Sequence, residues 1–191
     1  PCMDCYEGSL SNGVKYYFNY KKIFKKIRPV NRLDKDTSGI VIFAKSEYIQ
    51  ELLIREMKKG DFKKYYIAIL EGNLKEKQGT ISAPIARKEN SIIEREININ
   101  GDIAISHYKV LKESKNYSKT EFLLETGRTH QIRLHAKYIG HPIVGDFLYG
   151  IRDENLNRHL LHAYKVEIIH PITKKSLTFQ LSIPDIFNKY V

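Results

Sequence analysis

The chain lacks tryptophan altogether, and tyrosine's abundance does not compensate as a signal, because tyrosines are also good strand residues. Cysteine is the more informative shortage. Cys2 and Cys5 form a single C-x-x-C pair. A structural zinc site needs four ligands, and neither a second pair nor a neighbouring histidine is there to complete one. No thioredoxin-like unit follows the pair, so the two read as ordinary thiols near the chain start, in keeping with a reducing cytoplasm. No apolar run approaches the ~20 residues of a membrane helix, so no membrane association is expected. The opening PCMDCYEGSL has no basic region followed by an apolar one, and it has no initiating methionine, so a truncated N-terminus is expected. Repeats, low-complexity tracts and Pro/Gly-rich linkers are all missing. Residues 1–191 therefore read as a single domain. There is also no Gly-rich phosphate loop, serine nucleophile elbow or dinucleotide fingerprint.

What is present is an ordinary globular balance, with 42% hydrophobic and 28% charged residues, which argues against disorder. Thirty-two Lys and Arg against 22 acids give a net charge of +10, a surface that suits polyanions but also fits a solvated lysine coat.

Residues 9–20 suit a short helix with Leu10, Val14, Tyr17 and Phe18 inward. A strand is expected over 39–45. Ser46 reads as an N-cap for a helix carrying Ile49, Leu52, Leu53 and Met57, stopped by Gly60. Further strands are expected at 65–72, 79–85, 91–97, 103–111, 120–126, 160–169 and 176–183. A helix capped by Thr129 would run from about His130 to Tyr138. Many strands, few helices and no regular βαβ alternation indicate an α+β fold on a mostly antiparallel sheet.

Two polar segments beside apolar strands stand out. In Arg32-Leu33-Asp34-Lys35-Asp36-Thr37-Ser38-Gly39, an extended chain puts Arg32, Asp34 and Asp36 on one face. An acid among cations at the mouth of a strand suits a nucleophile or base. The same residues also suit a plain turn in which Asp36, Thr37 and Ser38 bind backbone amides. In the second segment, 127–135, a helix puts His130, Arg133 and Lys137 on one face and Ile132, Ala136 and Ile139 on the other. Arg133 lies where the helix dipole disfavours a cation, a conflict that a carboxylate or phosphate would relieve. An exposed basic helix is the alternative. His130 and His135 are five residues apart and diverge around the helix, so no metal site is expected.

Together NRLDKDTSG (31–39), KYYIAILEG (64–72) and ETGRTHQIRLHAKYIGHPIVGDFLYG (125–150) resemble the signatures of the RluA-type RNA pseudouridine synthases, and HLLHAYKVEIIHPITKK (159–175) resembles that family's closing strands. The likeness runs in one order from about Glu7 to the C-terminus. It implies the family's catalytic fold, with a mixed, mostly antiparallel sheet, flanking helices and a central cleft. It implies isomerisation of uridine in structured RNA, ribosomal RNA before transfer RNA, by a cytoplasmic monomer that needs no cofactor and takes neither DNA nor membrane as partner.

The implied catalytic residues are Asp34, the essential aspartate; Tyr66, which counting back from Gly72 selects over Tyr65 to pack on the target uracil; and Arg133, which would ion-pair with the aspartate. Arg32 would enter the RNA stack as the uridine leaves. Arg128, Thr129, His130 and Gln131 would shape the cleft or hold RNA. Asn31 departs from the family pattern, which often has histidine there. Two rival readings remain: an RNA-binding module without catalysis, and a hydrolase using Asp34 and Asp36 as a carboxylate pair.

Overall fold

The computed structural model describes residues 7–191, so Cys2 and Cys5 lie outside the described residues. Its centre is an antiparallel sheet built around a long strand, β4 (Phe62–Glu71), whose run of apolar residues suits burial on both faces. The shorter strands are β1 (Arg28–Pro29), β2 (Ser38–Gly39) and β3 (Phe43–Ala44) before it, and β5 (Gln78–Ser82), β6 (Ile85–Arg87) and β7 (Arg95–Ile97) after it. The remaining strands are β8 (Ile105–Glu113), β9 (Tyr117–Leu124), β10 (Leu161–Ile169) and β11 (Ser176–Gln180). The order across the main sheet is β11-β10-β4-β9-β8-β5, all antiparallel. The outer edge of β10 is shared: its last residues take β11, and its first, His162 and Ala163, take β2 in parallel. The expected α+β fold on a mostly antiparallel sheet is present.

Alternation along β4 divides its side chains between two cores. Tyr66, Ala68 and Leu70 join Phe122, Ile132, Ala136 and Leu161 on one face. Ile67 and Ile69 join Val144, Leu160 and Phe187 on the other. Phe187 comes from a 3-10 turn at Asp185–Lys189 that the sequence pattern did not signal.

Among the described residues, three α-helices flank this sheet. Helix α2 (Glu47–Lys59) runs as its sequence predicts, from the Ser46 hydroxyl accepting the Ile49 N–H to Gly60 in the left-handed conformation. Its Leu53, with Ile49 and Met57, packs on Phe62, Val166 and Ile168. Helix α1 (Leu10–Tyr20) has the expected bounds, but of its apolar residues only Phe18 is buried, and Leu10 and Tyr17 face outward. Helix α3 (Gln131–Tyr138) also has the expected span, but Thr129 does not cap it. The cap residue is His130, held at φ 59° with no side-chain cap bond.

The apolar run 39–45 corrects the reading of one strand. It splits into β2 and β3, because Gly39 belongs to β10 while Phe43 and Ala44 pair with β1. Ile40 and Ile42, between them, pack towards α2. Gly39 is required here: its φ is +127°, and a Cβ would fall 2.3 Å from the Ala163 carbonyl oxygen. Gly39→Ala is expected to destabilise the fold by at least about 2 kcal/mol in urea unfolding, from backbone strain and overpacking together. An equally stable variant would mean that β2 does not lie against β10.

Candidate active site

The segment 31–39 is a loop tied down at several points. The Asn31 side chain donates to the Ile40 carbonyl at 3.1 Å and accepts the Ile42 N–H at 2.8 Å, closing the loop's base. Asn31 is thus committed to backbone. Asp34 and Thr37 form a turn, in which the Thr37 N–H donates to the Asp34 carbonyl at 3.1 Å and Asp36 takes a positive φ of 69°. Beyond the turn, the Thr37 hydroxyl shares a 2.7 Å hydrogen bond with His159 Nε2, and the Ser38 hydroxyl shares one with His162 Nδ1. The chain does turn here, but the Thr37 and Ser38 hydroxyls bind histidine rings rather than the backbone amides that the plain-turn reading expected, and the turn presents Asp34 half-buried at the rim of the sheet. Gly39, Ala163 and Tyr66 are lateral neighbours across β2, β10 and β4, which sets the loop and the Tyr66 ring on adjoining strands.

Asp34 and Tyr66 line one cleft of about 760 Å³, together with Arg32, Arg128, Thr129, Gln131 and Lys64. Tyr66 is buried, and burial together with the nearby Asp34 charge pushes its hydroxyl pKa well up, so the phenol stays protonated. Arg32 is exposed at the cleft mouth. Arg128 is partly engaged, donating through Nε to the Ile103 carbonyl at 3.0 Å.

Gln131 has no capacity left for a ligand. Its Oε1 accepts from the Thr126 hydroxyl at 2.8 Å and the Arg128 N–H at 2.9 Å. Its Nε2 donates at 2.9 Å to both the Ile105 carbonyl and the Ser106 hydroxyl. These four bonds exhaust its donors and lone pairs, so it holds the 126–128 turn in place.

His130 and Arg133 do not line the cleft. They lie behind it, against Tyr149. His130 Nδ1 shares a 2.8 Å hydrogen bond with the Tyr149 hydroxyl, which also accepts the Arg95 N–H at 2.8 Å. The guanidinium of Arg133 stacks 5.0 Å from the same ring, and Lys137 Nζ lies 5.9 Å from it. The expected helix face is real, but Tyr149 covers it.

The partner of Arg133 is Asp146, not Asp34. Nε donates to Oδ2 at 2.6 Å and an NH2 group to Oδ1 at 2.7 Å, a two-pronged pair with both side chains buried. No Asp34–Arg133 ion pair lies within 4.0 Å among the described residues. Burial opposes the charge on Arg133, but the bonds to Asp146, its charge and that of Asp34 outweigh it and raise the guanidinium pKa. Burial likewise opposes ionisation of Asp146. Arg133 and the N–H groups of Leu148 and Tyr149, at 3.0 and 3.1 Å, still hold its carboxyl below the usual range. Asp146 is therefore the carboxylate that relieves Arg133 at the start of α3. The sequence did carry a signal for it: Asp146 is the only acid between Thr126 and Arg152.

The model of one protein family, described as RNA pseudouridylate synthase, matches residues 1–138. The chain belongs to that family. Its relatives include the uncharacterized RNA pseudouridine synthase YhcT of Bacillus subtilis, 40% identical over 96% of this chain and 62% of that one. Ribosomal large subunit pseudouridine synthase D of Haemophilus influenzae is 32% identical over 94% of this chain and 60% of its own. The chain thus spans about three fifths of the length of both. Among solved structures, human RNA pseudouridylate synthase domain containing 1 superposes with a TM-score of 0.75 at 28% identity, over 88% of this chain and 73% of that one.

In this pseudouridylate synthase fold the loop carrying Asp34 leans on a buried histidine. Burial, then the Arg133 charge, pushes His159 down to about 4. His159 therefore folds neutral, while in the unfolded chain it takes up a proton near pH 6.5. The stability it contributes is complete above about pH 6.5 and is lost as pH falls from there to about 4. His159→Gln, which keeps a hydrogen-bonding group for Thr37, is expected to lose about 2 kcal/mol less than the parent between pH 7 and 5 in urea unfolding. Equal losses in the two proteins would mean that His159 is not held neutral. Among the described residues, no cluster of three His, Cys, Asp or Glu side chains is placed to hold a metal ion, and no helix is long and apolar enough to cross a membrane.

Proposed function

We propose that this chain isomerises uridine to pseudouridine in a structured RNA, with Asp34 as the catalytic carboxylate. The observation that carries the reading is the meeting of Asp34 and the Tyr66 ring in one open cleft whose mouth carries Arg32 and Arg128. A cleft of about 760 Å³ is ample for one everted nucleotide, since small-ligand sites run from about 300 to 1,000 Å³. In the reaction the bond from C1′ of the sugar to N1 of uracil breaks, the base turns, and C1′ bonds to C5. N1 gains a proton and C5 loses one. Asp34 either attacks the sugar or removes a sugar proton to give a glycal.

Extrusion of the base from an RNA stack costs a few kcal/mol. Stacking on Tyr66 returns ~1–3 kcal/mol, and Arg32 fills the gap by stacking and by phosphate contact. Thr129 and Arg128 shape the rim. His130 and Arg133 act from behind, through Tyr149 and Asp146. Large-subunit ribosomal RNA is the first substrate to test, because the Haemophilus relative is named for it; transfer RNA is second.

The carboxylate-pair hydrolase fails on geometry, because Asp36 is exposed and does not line the cleft. The test is release of tritium from C5-labelled uridine in a large-subunit ribosomal RNA transcript and in bulk transfer RNA. Release with the base still joined to its sugar, and no free uracil formed, supports the reading. RNA binding without release from either substrate would leave a binding module and overturn it.

A further inference from the structure

Lys64 lies two residues before Tyr66 on β4, so alternation puts both side chains on the cleft face of that strand. It is a buried lysine, 8% exposed. Among the described residues, no hydrogen bond or ion pair engages its ammonium. Burial alone lowers its pKa, with no neighbouring carboxylate pulling the other way. Its Nζ sits beside Gly127, where an added Cβ would fall 3.1 Å from it; Gly127 and the adjoining Arg128 and Thr129 line the same cleft. An unpaired ammonium on a largely buried side chain, open only to the cleft, is costly unless something of opposite charge completes it.

We infer that Lys64 is the cleft's inner anion site and takes a phosphodiester oxygen of the nucleotide held against Tyr66. A phosphate is favoured over a uracil carbonyl because a formal negative charge offsets a buried cation far more than a dipole does. The assignment rests on the isomerase reading only in placing a nucleotide in the cleft. It makes Lys64 a substrate-binding residue kept at the expense of stability.

The test titrates the chain with uridine, uridine 3′-monophosphate and uridine 5′-monophosphate, followed by nuclear magnetic resonance. At least one nucleotide is expected to bind about tenfold or more tightly than uridine, as a charge-assisted contact implies. Lys64→Met is expected to erase most of that preference, and Lys64→Arg to keep part of it. Ligand-free Lys64→Met is expected to melt no lower than the parent, since it removes an unpaired buried charge. Nucleotides that bind no better than uridine to the parent chain overturn the assignment, and this arm needs no variant to fold. A preference that survives Lys64→Met overturns it too, as does a melting temperature lowered by that change, which would make Lys64 a structural residue. None of these measurements uses turnover, so the assignment can fail while tritium release stands.

Discussion

Asp34→Asn is expected to lower tritium release from RNA by at least about 10²–10⁴-fold, the range associated with losing a positioned acid or base. The substitution is nearly isosteric, and it strands nothing. Among the described residues no side-chain hydrogen bond or ion pair engages the Asp34 carboxylate, which is half-buried at the cleft wall. Stability should therefore stay within about 0.5 kcal/mol of the parent. RNA affinity should hold or rise slightly, since an acid is removed from a basic groove. Asp36→Asn is the control. Asp36 is exposed at a positive φ that asparagine tolerates, and its activity should remain near that of the parent. Product formed at the parental rate by Asp34→Asn would remove Asp34 from the chemistry. Loss of activity on changing Asp36 alone would revive the carboxylate pair.

Arg133→Leu is expected to be the most destabilising single change considered, at about 3–5 kcal/mol in chemical unfolding. The reason lies in its partner: the substitution leaves Asp146 buried with a negative charge and only two backbone N–H groups to hold it. It also removes the cation stacked on Tyr149 and the positive field that reaches Asp34. Activity should fall at least about tenfold even at temperatures where the variant is folded. The double variant Arg133→Leu with Asp146→Leu removes both charges. It should recover much of the stability, because replacing a whole buried pair with apolar groups is often neutral, but it should not recover the activity. A single Arg133 variant that is as stable and as active as the parent would show that the pair with Asp146 is not holding this corner together.

These two expectations also mark how far the residues could be read in advance. Helix α2 was legible from end to end because Ser46, its apolar spacing and Gly60 are local signals. The mostly antiparallel sheet was legible from the strand pattern. The order of motifs along the chain pointed to Asp34 and Tyr66, and the structure brings them to one cleft. The inward face predicted for α1 was not realised beyond Phe18, since an apolar stripe has meaning only against a surface that covers it. The run 39–45 was misread because a continuous apolar segment does not say which strand edge each residue will meet. Gln131 looked like a ligand-binding side chain in the motif, but its polar atoms are taken up by Thr126, Arg128, Ile105 and Ser106, while His130 has its Nδ1 committed to Tyr149.

The sequence by itself determined the helix limits, the class of fold, the family and the residue types that the chemistry requires. These depend on local periodicity, capping and the order of motifs, all of which are properties of neighbouring residues. Only the tertiary structure decided who pairs with whom. It turned Arg133 to Asp146, closed the Asp34 loop on Asn31, His159 and His162, and left Lys64 facing the cleft without a counter-charge. Such partnerships join residues up to 124 positions apart, as Ser38 and His162 are, and their strength depends on burial, which no stretch of sequence carries on its own.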